Sequence, residues 1–102
     1  NKQNLRYKRK RRIRAKIFGT AQRPRISIFR SNLVIYLQAI DDDHQKTLAF
    51  SSSLKDEEPA KTIAKKLMDQ KIKKIVFDRS GYKYHGRISK IAEQLRNEGL
   101  EF

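Results

Sequence analysis

Residues 25–42 read RISIFRSNLVIYLQAIDD, and their alternation decides the fold. In residues 25–30, Ile26 and Ile28 fall on one face of an extended segment, with Ser27 and Phe29 on the other. Alternating β-branched and aromatic types make this a strand. Ser31-Asn32 predicts a tight turn, because Asn tolerates a left-handed backbone. Residues 33–40 alternate again, with Leu33, Ile35, Leu37 and Ala39 facing one way and Val34, Tyr36, Gln38 and Ile40 the other. The two runs predict a hairpin whose first face suits a core and whose second is amphipathic.

Downstream, Asp41-Asp42-Asp43-His44-Gln45 reads as a polar turn, and residues 46–51 as a third strand through Leu48 and Phe50. The pattern then changes period. Asp56, Glu57 and Glu58 put acids in a first helical turn with Pro59 near its start. Ala60, Ile63, Ala64, Leu67 and Met68 follow at helical spacing, with Lys61, Lys65 and Lys66 on the outer face. Residues 72–77, IKKIVF, predict a short buried strand, parallel to a neighbour because a helical crossover delivers it. After the loop DRSGYKYHGR, Ile88, Ile91, Ala92 and Leu95 mark a second helix that ends at Gly99. The body is therefore α/β, βββαβα: an antiparallel meander plus one parallel strand, forming a mixed sheet with helices.

Upstream of the hairpin the composition is different. Residues 1–30 carry Lys2, Arg6, Lys8, Arg9, Lys10, Arg11, Arg12, Arg14, Lys16, Arg23, Arg25 and Arg30 and no acid, whereas the whole chain has 25 basic residues against 11 acidic. Nearly all of the net charge of +14 thus sits in the first 30 of 102 residues. Within residues 1–16 only Leu5, Tyr7, Ile13 and Ala15 could bury surface, too few to offset an ordering cost of about 1–2 kcal/mol per residue. We expect residues 1–19 to be a basic arm, disordered alone. Leu5, Arg9, Ile13 and Ile17 recur every four residues, so the arm can become helical once phosphates neutralise it, with Gly19-Thr20 ending the helix. Residues 20–102 form a single α/β domain. With no Cys there is no disulfide or thiolate zinc site, and no apolar stretch approaches the roughly 20 residues of a membrane span. A soluble protein of a reducing compartment is expected, with a polyanion as partner.

Three features carry the functional reading. The arm cations Arg6, Lys8, Arg9, Lys10, Arg11, Arg12, Arg14 and Lys16 suit sequence-independent phosphate contact, against the plainer alternatives of a solvated tail or a localisation signal. Arg23, Arg25 and Arg30 bracket the first strand; Ser31 and Asn32 can hydrogen-bond sugar or phosphate there, and Tyr36 on the next strand can stack on a base or cover the sheet. The third feature is the loop. Tyr82, Tyr84 and His85 are flat stacking groups, Gly81 and Gly86 allow close backbone approach, and Arg79, Lys83 and Arg87 supply charge. The loop also follows a parallel strand and precedes a helix N-terminus, where ligands of α/β sheets bind.

Catalysis has little support. The sequence lacks a phosphate-binding G-x-x-x-x-G-K-[ST] loop, a G-x-S-x-G elbow and an H-E-x-x-H pair. Asp41, Asp42 and Asp43 with Asp78 could in principle gather two metals, but consecutive aspartates alternate sides and the turn needs them anyway. His44 reads as a surface turn residue.

The segments GTAQRPRISIFRSNLVIYLQAIDD (19–42), IKKIVFDRSGYKYHGR (72–87) and the ending GLEF (99–102), in that order, closely resemble the bacterial-type large-subunit ribosomal protein number eighteen, the 5S-rRNA-binding family. The resemblance implies a ribonuclease-H-like fold without nuclease chemistry or cofactor. It also implies 5S rRNA, 23S rRNA and neighbouring large-subunit proteins as partners in the central protuberance, with no membrane and no homo-oligomer. By similarity Arg23, Arg25, Arg30, Ser31 and Asn32 fall in the first RNA-contact segment. Arg79, Tyr82, Tyr84, His85, Gly86 and Arg87 fall in the second, and the arm reaches toward 23S rRNA. A ribosome of the cytoplasm or of an organelle is implied. The stretch between Leu54 and Ala60 is shorter than the family's usual connection. The rival readings are a nucleic-acid-binding regulator outside the ribosome and a metal-dependent nuclease of related fold.

Overall fold

The structure, a computed structural model, describes residues 5, 8, 9, 11, 12, 17–31, 34–80 and 86–102. Four strands, β1 (Arg25–Arg30), β2 (Ile35–Asp41), β3 (Lys46–Ser52) and β4 (Val76–Asp78), form one sheet in the order β3-β2-β1-β4. Helix α1 (Pro59–Asp69) lies between β3 and β4, and helix α2 (Arg87–Asn97) follows β4. The meander is antiparallel, and β4 joins β1 in parallel as the crossover predicts.

The hairpin register pairs Ile26 with Ala39 and Ile28 with Leu37, which puts all four on the covered face. Together with Ile35, Ala49, Ile63, Leu67, Ile75, Ile88, Ile91 and Leu95 they make a single core between the sheet and the two helices. Each fully buried Ile or Leu contributes about 1.5–3 kcal/mol, so this layer carries most of the fold's stability.

Two strand boundaries differ from the sequence reading. Strand β2 begins at Ile35, and just ahead of it the Ser31 amide donates to the Val34 carbonyl at 2.9 Å; Asn32 and Leu33 lie outside the described residues. In β3 the buried positions facing the core are Ala49 and Ser51, and the larger Leu48 and Phe50 point away from it. Strand β4 starts only at Val76 because the preceding residues pair with the C-terminus. The Ile75 amide donates to the Glu101 carbonyl at 3.0 Å and the Glu101 amide to the Lys73 carbonyl at 2.8 Å.

Helix α1 takes Pro59 at its start, where its missing N–H costs nothing, and the acids lie before the first turn rather than in it. The Asp56 carboxylate instead accepts the Ser52 amide at 3.2 Å. From the outer side of α1, Lys66 Nζ donates to the Phe50 carbonyl (2.7 Å) and Gln70 Nε2 to the Leu48 carbonyl (2.9 Å), both on the edge strand β3. Helix α2 closes as expected at Gly99, whose φ is 107°. The Leu100 amide reaches the Leu95 carbonyl and the Gly99 amide the Arg96 carbonyl, the paired bonds of a left-handed helix end.

Candidate nucleic-acid interface

The face of the sheet away from the helices is polar at one end and aromatic at the other. Alternation puts Arg25, Ser27 and Phe29 on this side of β1. Across the hairpin Phe29 pairs with Tyr36, and on the far strand Phe50 pairs with Gln38. The three rings form a ladder, with centroids 5.8 Å apart for Phe29 and Tyr36 and 6.2 Å for Tyr36 and Phe50. Phe29 is 55% exposed and Phe50 36%, so the ladder is open to a partner and Ser27 and Gln38 complete its lining. Tyr36, expected either to stack or to cover the sheet, stands half-buried in its middle. Sequence reading did not include Phe29 or Phe50 among the site residues, although their two-residue alternation with core positions could have revealed them.

The polar end is built around Arg25, which the structure places inside an ion-pair cluster and not on the open surface. Arg25 is buried at 8% exposure, and each of its three guanidinium nitrogens donates a hydrogen bond. Nε and Nη2 donate to the two oxygens of Asp42 at 2.9 and 3.0 Å, and Nη1 donates to Asp78 Oδ2 at 2.7 Å. Burial acts against the charged guanidinium, but hydrogen bonds and charges from Asp42 and Asp78 outweigh it and raise the Arg25 pKa above its ordinary value. The residue is a permanent cation between two carboxylates. Sequence reading missed this cluster because its members are 17 and 53 positions apart. The available signal was a charged residue directly abutting each of two apolar parallel runs.

Each carboxylate also holds backbone. Asp42 Oδ2 accepts the Gly19 amide at 2.8 Å. Asp78 Oδ1 accepts the Ser80 amide at 2.8 Å. Ser80 has φ 55°, a left-handed conformation that a non-glycine residue adopts only when held, and its hydroxyl meets that of Ser27 at 3.1 Å. Gly19, at the root of the arm, and Ser80, at the root of the aromatic loop, are thus held by two carboxylates that both bond Arg25.

The remaining expected residues are placed as follows. Arg23 is exposed in a turn closed by its own amide on Thr20 Oγ1 at 3.1 Å and by the Thr20 amide on the Arg23 carbonyl. Arg30 and Ser31 are exposed at the opposite end of β1, the Ser31 hydroxyl donating to the Val34 carbonyl at 3.4 Å. Arg79 is half-buried beside Ser80. Gly86, with φ 58°, precedes α2, and Arg87 is the first, exposed residue of that helix, which has no side-chain cap. Lys8, Arg9, Arg11 and Arg12 have helical backbone, as does Leu5, which is 57% exposed. Arg6, Lys10, Arg14, Lys16, Asn32, Tyr82, Lys83, Tyr84 and His85 lie outside the described residues.

Of the acidic residues weighed as metal ligands, Asp41, Asp42 and Asp78 have other partners. Asp41 accepts the Asp43 and His44 amides and His44 Nδ1 at 2.8 Å, fastening the β2–β3 turn. Burial raises the Asp41 pKa, but the hydrogen bonds and charge of His44 and the amide bonds outweigh it and hold the carboxyl below its ordinary value. Among the described residues no group of three or more His, Asp or Glu is gathered as for a metal ion, and no helix is long and apolar enough to cross a membrane.

Comparison with known proteins gives the family. A family model described as ribosomal L18 of archaea, bacteria, mitochondria and chloroplast matches residues 1–102. A large ribosomal subunit protein uL18 of Bacteroides thetaiotaomicron is 52% identical, covering 95% of this chain and 94% of its own. That of Lactobacillus acidophilus is 50% identical over 100% of this chain and 96% of its own. The alignment with the Thermotoga petrophila uL18 protein, 45% identical, runs over 117 positions against the 102 residues here, so that relative carries residues with no counterpart in this chain. Matched along its whole length by the family model and by relatives of this identity, the chain belongs to the ribosomal L18 family.

Proposed function

We propose that the protein is a non-enzymatic constituent of the large ribosomal subunit that binds 5S rRNA and helps attach it to 23S rRNA in the central protuberance. The observation that supports this best is the convergence around Arg25. Two segments suited to RNA, far apart in sequence, are held at Gly19 and Ser80 by Asp42 and Asp78, which both bond Arg25. In this reading the loop residues Arg79, Tyr82, Lys83, Tyr84, His85, Gly86 and Arg87 recognise unpaired bases and backbone of 5S rRNA. Arg23, Arg30, Ser31 and Asn32 add phosphate and sugar contacts along the hairpin, and Tyr36 adds a stacking surface. The arm cations Arg6, Lys8, Arg9, Lys10, Arg11, Arg12, Arg14 and Lys16 neutralise phosphates of 23S rRNA. Neighbouring large-subunit proteins complete the surroundings, and the protein acts as a single copy on the ribosome, with no cofactor.

Gel shift of the full chain against 5S rRNA, tRNA and duplex DNA at moderate salt tests the reading. A clear preference for 5S rRNA is expected; equal affinity for all three removes it. Removing residues 1–16 is expected to flatten the salt dependence and hinder 23S rRNA attachment while the 5S preference survives. Loss of that preference on the deletion would reverse the assigned roles.

A further inference from the structure

The buried cluster at the end of β1 does something that neither RNA-contact segment can do alone. Arg25 bonds neither the Gly19 amide nor the Ser80 amide, yet it touches both carboxylates that hold them. The fork of a guanidinium makes this possible: two parallel bonds fix the Asp42 carboxylate plane while the third nitrogen reaches Asp78. The arm root is further constrained because the Asp42 amide donates back to the Gly19 carbonyl at 2.9 Å. A Cβ on Gly19 would collide with the Ile40 carbonyl and the Arg25 amide. The loop root is constrained by the left-handed Ser80 and its bond to Ser27.

We propose that Arg25 is a positioning residue, which through Asp42 and Asp78 sets the exit of the basic arm at Gly19 and the exit of the aromatic loop at Ser80 in one fixed relation, so that both reach RNA together. This rests on the reading of those segments as RNA contacts. An RNA that must meet two segments at once is bound more tightly when their separation is set beforehand, since the ordering cost is already met in the free protein. The cluster contributes through geometry and adds no phosphate contact.

The test uses the full chain and two readouts. In RNA-free protein, amide hydrogen exchange is followed at Gly19 and Ser80. Arg25→Lys keeps the charge but not the fork, and is expected to speed exchange at both amides about tenfold or more while the β1–β2 amides stay protected. Unchanged exchange at both overturns the proposal. In binding, Arg25→Lys is expected to weaken 5S rRNA affinity about tenfold with the slope of log K against log salt unchanged. A direct phosphate contact would instead leave affinity near the wild type. Should Arg25→Lys fail to fold, Asp42→Asn and Asp78→Asn decide the matter. Each removes a negative charge, so long-range electrostatics predicts tighter RNA binding, whereas loss of positioning predicts weaker binding by about tenfold. Equal or tighter binding in both would overturn the proposal. Were the wild type to show no preference for 5S rRNA over tRNA, the functional reading would fail, and the exchange experiment would still decide whether Arg25 couples the two roots.

Discussion

Gly19 and Asp42 bond each other twice: the Gly19 amide donates to the Asp42 carboxylate at 2.8 Å, and the Asp42 amide donates to the Gly19 carbonyl at 2.9 Å. The chain entering β1 is thereby laid against the chain leaving β2, so closely that there is no room for a side chain at position 19. Gly19→Ala is expected to lower stability by about 1–3 kcal/mol, the usual cost of forcing atoms into a packed site. Urea denaturation checks it, and a midpoint equal to the wild type would show that the two segments can part without loss.

Asp78 is completely buried, and its two oxygens are used by Arg25 and the Ser80 amide. Replacing it with alanine leaves a buried guanidinium with one partner fewer and a buried amide with none. A loss of about 3–5 kcal/mol is expected, as for other buried pairs broken on one side. In a domain whose total stability is on the order of 5–15 kcal/mol this is a large fraction, visible as a fall in the thermal midpoint. A change within about 0.5 kcal/mol, the usual range of surface substitutions, would mean that water enters and solvates the site.

The Asp41 carboxylate predicts a pH dependence. Its folded pKa lies below the ordinary value, so its bonds to His44 and the turn amides stabilise the fold above the unfolded carboxylate pKa. That stability is lost as pH falls through the lowered folded value. The stability difference between wild type and Asp41→Asn is therefore expected to be steady near neutral pH and to shrink under acid conditions. A difference that grows on acidification would contradict the assignment.

The ring ladder predicts a division between stability and binding. Phe29 is more than half exposed, so Phe29→Ala removes little burial, but it takes away one end of the stacking surface shared with Tyr36. RNA affinity is expected to fall by about 1–3 kcal/mol, the scale of a single base–aromatic stack, with a nearly unchanged melting temperature. Tyr36→Phe, which retains the ring, should bind close to wild type. Loss of affinity in Tyr36→Phe equal to that in Phe29→Ala would shift the explanation from stacking to the tyrosine hydroxyl.

What could be read in advance divides along the lines of local and distant physics. Ile26, Ile28, Leu37 and Ala39 announce the hairpin and its buried side because alternation is a property of consecutive residues. Gly99 announces the end of α2 because a left-handed helix end needs such a residue there. Arg25 reads as one more surface cation in a basic stretch, and only folding reveals that residues 17 and 53 positions away surround it. The facing of β3 is not legible in advance because Ala49 and Ser51 are small where helix α1 approaches, a requirement of the neighbour and not of the strand. Residues 73–75 were assigned to a strand within the sheet, whereas part of their pairing is with Glu101, almost at the end of the chain.

The bonds from Lys66 and Gln70 to the Phe50 and Leu48 carbonyls have a consequence for the free protein before any partner is met. Strand β3 ends the sheet, and its outward acceptors would otherwise template a strand from a second molecule. Two long polar side chains from the adjoining helix already occupy those acceptors, and one brings a cation that repels an approaching copy of so basic a chain. The molecule guards its own rim against polymerisation while it waits, open-faced, for RNA.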